Sequence, residues 1–175
     1  MAHGLGVPAG HGGDGLRQVS PDVTLVPIDA DLPSALDGLS LGDHAALIEG
    51  LIEQTMKHFG PEPRPAPWLA YLAADPARGM VVGTCAFKDL PDATRHAEIA
   101  YFTFPGFEGK GYATAMASAL IALARDAAPD VRVIAHTLPE VNASGSVLGK
   151  VGMRRTGEVI DPEDGLVWRW ERAPS

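Results

Sequence analysis

Glu98-Ile-Ala-Tyr-Phe-Thr-Phe-Pro-Gly-Phe-Glu-Gly-Lys-Gly-Tyr-Ala113 is the stretch on which the reading of this chain turns. It begins as an apolar, aromatic-rich strand, breaks at Pro105, and passes through Gly106, Gly109, Lys110 and Gly111 into an alanine-rich helix. A glycine-rich strand-to-helix turn lets the backbone bend tightly, so that successive N–H groups and the positive end of the helix dipole face an anion. The spacing narrows the kind of anion site. A Walker A loop needs Gly-x-x-x-x-Gly-Lys-Ser/Thr, and here Lys110 is followed by Gly111, with no hydroxyl for a magnesium ion. A dinucleotide fingerprint needs Gly-x-Gly-x-x-Gly, and Thr114 stands at its third glycine.

The remainder of the chain fits one folded unit. Its 175 residues, 46% of them apolar, are enough for a sizeable core. Residues 1–20 read as a flexible tail, in which His3 and His11 are too sparse for a metal site, and residues 21–175 as the domain. The net charge of −8 argues against nucleic acid as a partner. The acidic excess is concentrated in residues 1–60, where only Arg17 and Lys57 are basic; this is either a solvated acidic helix face or, if the segment forms part of a substrate groove, a field that would favour cationic partners such as amines. The longest charge-free apolar run, residues 111–124, is too short to span a bilayer, and residues 1–15 lack a basic start and apolar block, so no membrane partner and a cytoplasmic location are expected. Cys85 is alone and lies in an apolar strand, as buried filler would.

Periodicity lays out the elements. A short strand is expected over residues 23–27 and a helix over 41–58, where Leu47, Ile48, Leu51, Ile52 and Met56 recur at helical spacing. A proline-rich connector over 60–67 follows, read as a stiff spacer. Strands over 68–73 and 80–88 pair across a turn, and a third covers 97–104. A helix over 111–127 buries Met116, Leu120 and Ala124; a strand over 131–137 and a helix over 142–151, opened by Asn142 and Ser144, come next. The last hairpin pairs 153–160 with 166–171, placing Leu166, Trp168 and Trp170 on the core side. The order is α+β: a mostly antiparallel sheet flanked by helices.

Glu108-Gly-Lys-Gly-Tyr-Ala113 resembles motif A of the GNAT superfamily of acyl-CoA-dependent N-acetyltransferases, and Thr137-Leu-Pro-Glu-Val-Asn-Ala-Ser144, continuing to Met153, resembles motif B of the branch containing the ribosomal-protein N-terminal acetyltransferases. The succession of elements across residues 23–172 matches as well. Glu108 departs from the Gln or Arg of motif A, and its carboxylate would repel a pyrophosphate unless turned to solvent or onto an N–H. Leu148 stands where many members of the superfamily have a tyrosine acid.

The resemblance implies a GNAT-like sheet with a splayed strand pair, acetyl-CoA as cosubstrate, no metal, and a small-molecule or peptide amine as acceptor. It implies that the N–H groups of Gly109, Lys110, Gly111, Tyr112, Ala113 and Thr114 hold the pyrophosphate, that the strand end at Phe102, Thr103 and Phe104 pairs with the pantetheine arm, and that Asn142 hydrogen-bonds that arm. Glu98 aligns with the general base and Ser144 with a serine near the coenzyme sulfur. An amine with pKa ~10 is almost wholly protonated at neutral pH, so a nearby carboxylate is needed to free its lone pair. Arg95 or solvent would partner Glu98 otherwise; His96 points to the opposite face; His136 shares its side with Arg132 and Ile134; Tyr101 and Tyr112 read as packing residues. A non-catalytic coenzyme-A-binding or protein-interaction module is the alternative. The terminal strand offers an edge for a homodimer, with the oligomeric state left open.

Overall fold

The computed structural model describes residues 21–29, 31–60 and 62–174; the tail expected over 1–20 lies outside them. The strands are β1 (Thr24–Pro27), β2 (Ala70–Asp75), β3 (Met80–Phe87), β4 (His96–Thr103), β5 (Arg132–Thr137), β6 (Arg154–Asp161) and β7 (Gly165–Arg172), and the α-helices are α1 (Leu32–Ala35), α2 (Ala45–Phe59), α3 (Tyr112–Ala127) and α4 (Ala143–Lys150). The strands form a mixed α+β sheet in the order β1-β2-β3-β4-β5-β7-β6. Every neighbouring pair is antiparallel except β4 with β5.

Most elements follow the periodicity, and the departures have local causes. The helix expected from Leu41 opens instead with a 3-10 turn over Gly42–His44 and becomes α-helical only from Ala45, past Gly42, whose φ of 55° interrupts a regular right-handed helix. The short α1 was not anticipated; four residues are too few to show a period. The last hairpin corrects one expectation. Val167 is the buried residue of β7, whereas Leu166 is 45% exposed and Trp168 only half-buried. Helix α4 spans two turns and covers Trp170 but stops short of Trp168 and Leu166. β7 also lies between β5 and β6, so the terminal strand has neighbours on both sides and offers no free edge.

The core lies between the sheet and α3. Met116, Ala117, Leu120, Ile121 and Ala124 recur at helical spacing and are buried against β3 and β4. A leucine such as Leu120, with no exposed surface, contributes roughly 1.5–3 kcal/mol by leaving water. Gly83 permits this close approach: a Cβ there would meet the Phe102 carbonyl oxygen at 2.6 Å and Met116 Cε at 3.0 Å.

A polar clamp fixes the start of α3 to the sheet. The Tyr112 hydroxyl donates to Asp75 Oδ2 at 2.5 Å, and both residues are buried. Asp75 Oδ1 accepts from the backbone N–H groups of Ala77 and Arg78, at 2.8 and 3.1 Å, and the Arg78 guanidinium stands 3.4 Å from Oδ2. The Tyr112 hydrogen bond, aided by the turn N–H groups, holds the Asp75 carboxyl below its ordinary 3.8 despite burial.

Two outcomes follow from this packing. Gly83→Ala is expected to cost about 1–3 kcal/mol in urea unfolding, whereas Gly149→Ala, at a helix position with open space around it, is expected to be neutral or to add about 0.5–1 kcal/mol. Tyr112→Phe is expected to cost about 1–3 kcal/mol at neutral pH. Because folding lowers the Asp75 pKa, its contribution is complete above 3.8 and is lost as the pH falls through the folded value; Tyr112→Phe should therefore flatten the acid limb of the stability–pH curve.

Candidate active site

The site begins where β4 ends. Phe104 is fully buried, its N–H donates to the Val82 carbonyl at 3.0 Å, and its carbonyl accepts from Phe107 N–H at 3.0 Å, closing a tight turn around Pro105 and Gly106. Gly106, Gly109 and Gly111 have φ values of 84°, 71° and 91°, backbone conformations that side chains resist, and Gly111 is the N-cap of α3. Among the described residues, the backbone N–H groups of residues 108–114 have no protein acceptor. They surround the N-terminus of a 16-residue helix, where its dipole is positive. Glu108 does not oppose an anion there directly: its Oε2 accepts from Gly106 N–H at 2.6 Å, and Lys110 Nζ donates to the Gly106 carbonyl at 2.6 Å.

This turn opens on a cleft of about 700 Å³ between β4, α3 and α4. The cleft is lined by Phe102, Thr103, all of Gly109 to Thr114, and Ser144. Two of the expected cofactor residues are elsewhere. Phe104 is beneath the floor, stacked on His44 with ring centroids 5.3 Å apart, and Asn142 caps α4, its Oδ1 accepting from Gly145 N–H at 2.9 Å. Asn142 alone is the cap; Ser144 is free of that role and faces the cleft.

The split in the sheet lies directly above. β4 and β5 pair only at His96 with Arg132, Ala97 with Val133 and Glu98 with Ile134, and then separate. Lys88 N–H bonds the Glu98 carbonyl and Phe104 N–H bonds Val82, so even-numbered residues of β4 spend their main-chain groups on β3. The main-chain groups of Tyr101 and Thr103 consequently face the gap. Phe102 contributes a side chain that is 47% exposed. Thr103 Oγ1 is buried and has no hydrogen-bond partner, an additional polar atom left open on the cleft side.

Glu98 lies on the opposite face of β4 from α3. Its Oε1 is 3.1 Å from Lys88 Nζ and 3.1 Å from His136 Nδ1. Burial disfavours the Lys88 charge, but the hydrogen bond and charge of Glu98 outweigh it and raise the Lys88 pKa. The His136 approach is out of line for a hydrogen bond, and neither of its buried ring nitrogens has a partner. Arg95, expected beside Glu98, has a φ of 62° at the preceding turn and pairs with Asp130 at 2.5 Å. Cys85 is buried, and burial pushes its thiol up to about 12, well away from nucleophilic use.

Three cavities meet at one residue that the sequence reading assigned to packing. Tyr101 lines the 700 Å³ cleft, a chamber of about 250 Å³ containing Glu98, His136 and Ser144, and a chamber of about 300 Å³ beneath α2. Its hydroxyl donates to the Ser144 carbonyl at 3.2 Å, and burial pushes its pKa up to about 12. Nothing in the strand pattern distinguishes Tyr101 from its neighbours; its role depends on where β5 turns away.

Comparison with known proteins places this architecture. No curated protein matches the chain in sequence. Among solved structures, the ribosomal-protein-S5-alanine acetyltransferase of Vibrio fischeri is 15% identical over 87% of this chain and 92% of its own, with a TM-score of 0.60. RimL, a ribosomal L7/L12 alpha-N-protein acetyltransferase solved with coenzyme A, is 16% identical over 89% of this chain and 96% of its own, with a TM-score of 0.62. A variant of the spermidine N-acetyltransferase SpeG of Vibrio cholerae is 15% identical over 88% and 95%, with a TM-score of 0.62. At these identities the likeness is one of fold. Residues 38–154, more than half of the chain, match the family described as acetyltransferase (GNAT) domain. The chain therefore belongs to the GNAT family of acetyltransferases, as the glycine turn and the split sheet require.

Proposed function

We propose that this enzyme moves the acetyl group of acetyl-CoA to a primary amine, a small metabolite or a peptide N-terminus, by direct attack. The observation that carries the reading is the run of unpartnered N–H groups over residues 108–114 at the mouth of a cleft that leads into the β4–β5 gap. Acetyl-CoA would bring an acyl group already activated as a thioester. Residues 109–114 fit its pyrophosphate, since they offer main-chain donors at a helix N-terminus, and the open main chain of Tyr101 and Thr103 fits an amide-bearing arm. A main-chain N–H in the gap would also donate to the carbonyl oxygen as it becomes negative, a role whose loss elsewhere costs ~3 kcal/mol.

The residues around the gap divide the proton traffic. The acceptor arrives as an ammonium and surrenders one proton to Glu98. The nitrogen then bonds the acyl carbon as the carbon–sulfur bond breaks, and its second proton ends on the departing sulfur, leaving amide and free thiol. His136 Nδ1 lies 3.1 Å from Glu98 Oε1, and a turn of its ring into line would let it take the first proton onward. Tyr101 has a different task. Transferring its proton, held near pKa 12, to a thiolate of pKa ~8.5 would cost ~5 kcal/mol, so it would serve the sulfur as a hydrogen-bond donor, its single O–H turning from the Ser144 carbonyl to do so. The Ser144 hydroxyl serves the same sulfur from α4. Glu108, a reason to consider a coenzyme-binding module without turnover, lines the cleft but has one carboxylate oxygen engaged by Gly106 N–H, which lessens its repulsion of an anion.

Free thiol should appear when the purified protein is given acetyl-CoA and a panel of amines, and the absence of release with every amine would refute the proposal. Glu98→Gln is expected to lower kcat/KM about 100-fold at neutral pH and to leave a rate that climbs with pH toward the amine's own pKa of ~10. Gly111→Ala, forced into a left-handed backbone that costs ~1–2 kcal/mol, is expected to weaken acetyl-CoA about tenfold in a calorimetric titration.

A further inference from the structure

The chamber beneath α2 has an unusual floor. Ala70 of β2 pairs with Ala86 of β3, and Ala86 pairs with Ala100 of β4, so three methyl groups line up across three adjacent strands. All three line an open cavity of about 300 Å³, over which α2 presents Leu51 and Phe59 together with the polar Gln54, Thr55 and His58. Larger residues at these positions would fill the space, as side chains do in a well-packed interior. A cavity half that size, about 150 Å³ and apolar, is enough to hold benzene.

The charges of this chamber are as informative as its walls. Lys88 is the one formally charged side chain lining it, and Glu98 neutralises it from the neighbouring chamber at 3.1 Å. Among the described residues, no carboxylate lines the space beneath α2. Thr84, the hydroxyl nearest the alanine row in register, already donates to the Tyr71 carbonyl at 2.9 Å. A second ammonium placed there would gain no counter-ion, since Gln54, Thr55 and His58 carry no negative charge, and a peptide backbone lying on the alanine row would find no partner in its methyl groups. Lys88, Ala100 and Tyr101 also line the chamber containing Glu98 and His136, so the far end of a molecule lying on the alanine row reaches the reacting centre.

We propose, resting on the acetyl-transfer reading above, that the acceptor is a monoamine with an apolar aryl or branched alkyl body, the body lying on Ala70, Ala86 and Ala100 and the nitrogen at Tyr101 and Glu98. Polyamines and peptide N-termini are the poorer acceptors on the same surfaces.

The test measures thiol release from acetyl-CoA with phenethylamine, ethylamine, putrescine, spermidine and a short peptide, alongside calorimetric binding of each amine to the coenzyme-A-loaded protein. Phenethylamine should exceed putrescine, spermidine and the peptide by at least about tenfold in kcat/KM and in affinity. Ala86→Leu should raise the KM ratio of phenethylamine to ethylamine by about tenfold or more, and Leu51→Ala, which opens the roof, should lower the ratio for a bulkier indolyl amine. If Ala86→Leu does not fold, Leu51→Ala decides. A preference for putrescine, spermidine or the peptide overturns the assignment while leaving acetyl transfer intact, as does an unchanged ratio in the folded variants. Binding of phenethylamine with the expected preference but no thiol from any amine supports the chamber and refutes the acetyl-transfer reading instead.

Discussion

Parallel pairing between β4 and β5 ends after Glu98 and Ile134, and the rest of the site depends on that early stop. Each strand goes on with its other neighbour: β4 stays paired with β3 as far as Thr103 and Gly83, and β5 stays paired with β7 as far as Thr137 and Trp168. Two half-sheets thus diverge while each keeps its own ladder. Main-chain donors and acceptors at Tyr101 and Thr103 are left without a strand partner, in a place where an extended molecule with amide groups can supply one. Sheet twist makes such divergence inexpensive, because strands already rotate against one another.

What keeps the divergence from collapsing is the packing of α3 and α4 beneath it. Gly83 allows α3 to sit close to β3 and β4, and the buried Tyr112–Asp75 bond ties the first turn of α3 to the end of β2. On the other side, α4 rests on Trp170, whose Nε1 donates to Thr137 Oγ1 at 3.0 Å, and Gly145 permits the contact: a Cβ there would come within 3.1 Å of that ring. Tyr101 bridges the two halves through the Ser144 carbonyl. The glycine turn is consequently held between two rigid bodies, which is the arrangement that preorganises N–H groups toward an anion instead of letting them find protein acceptors.

The face of the sheet away from α3 is governed by charge. Glu98 sits among Lys88 just after β3, His136 from β5 and, lining the same chamber, Asp164 from the β6–β7 turn. Neutralising Glu98 with Lys88 keeps a carboxylate tolerable at a half-buried position, and an arriving ammonium can compete for it because Lys88 is a flexible point charge. The apolar chamber beyond lacks such compensation, so this face distinguishes the reacting end of an acceptor from its body.

Much of this was legible in the residues. Alternation located the strands, helical spacing at Met116, Leu120 and Ala124 located α3, and Gly109-Lys110-Gly111 after Pro105 marked the anion turn, since local backbone sterics and hydrophobic period depend only on neighbours in the chain. The same local reasoning failed where distant strands decide the outcome. Arg95 or solvent was the local alternative for Glu98, yet its neighbours are Lys88 and His136, brought across by strand register. Leu166 and Trp168 alternate as core residues would, but a two-turn α4 leaves them uncovered. Tyr101 looked like any aromatic in a strand, and only the departure of β5 turns it into the meeting point of three cavities. By itself, then, the sequence determined the elements, their α+β order and the anion-binding turn, because these follow from periodicity and from backbone angles open mainly to glycine. Tertiary structure alone decided which side chains share the reacting centre and how much space the acceptor has, because both depend on where one strand stops pairing with another.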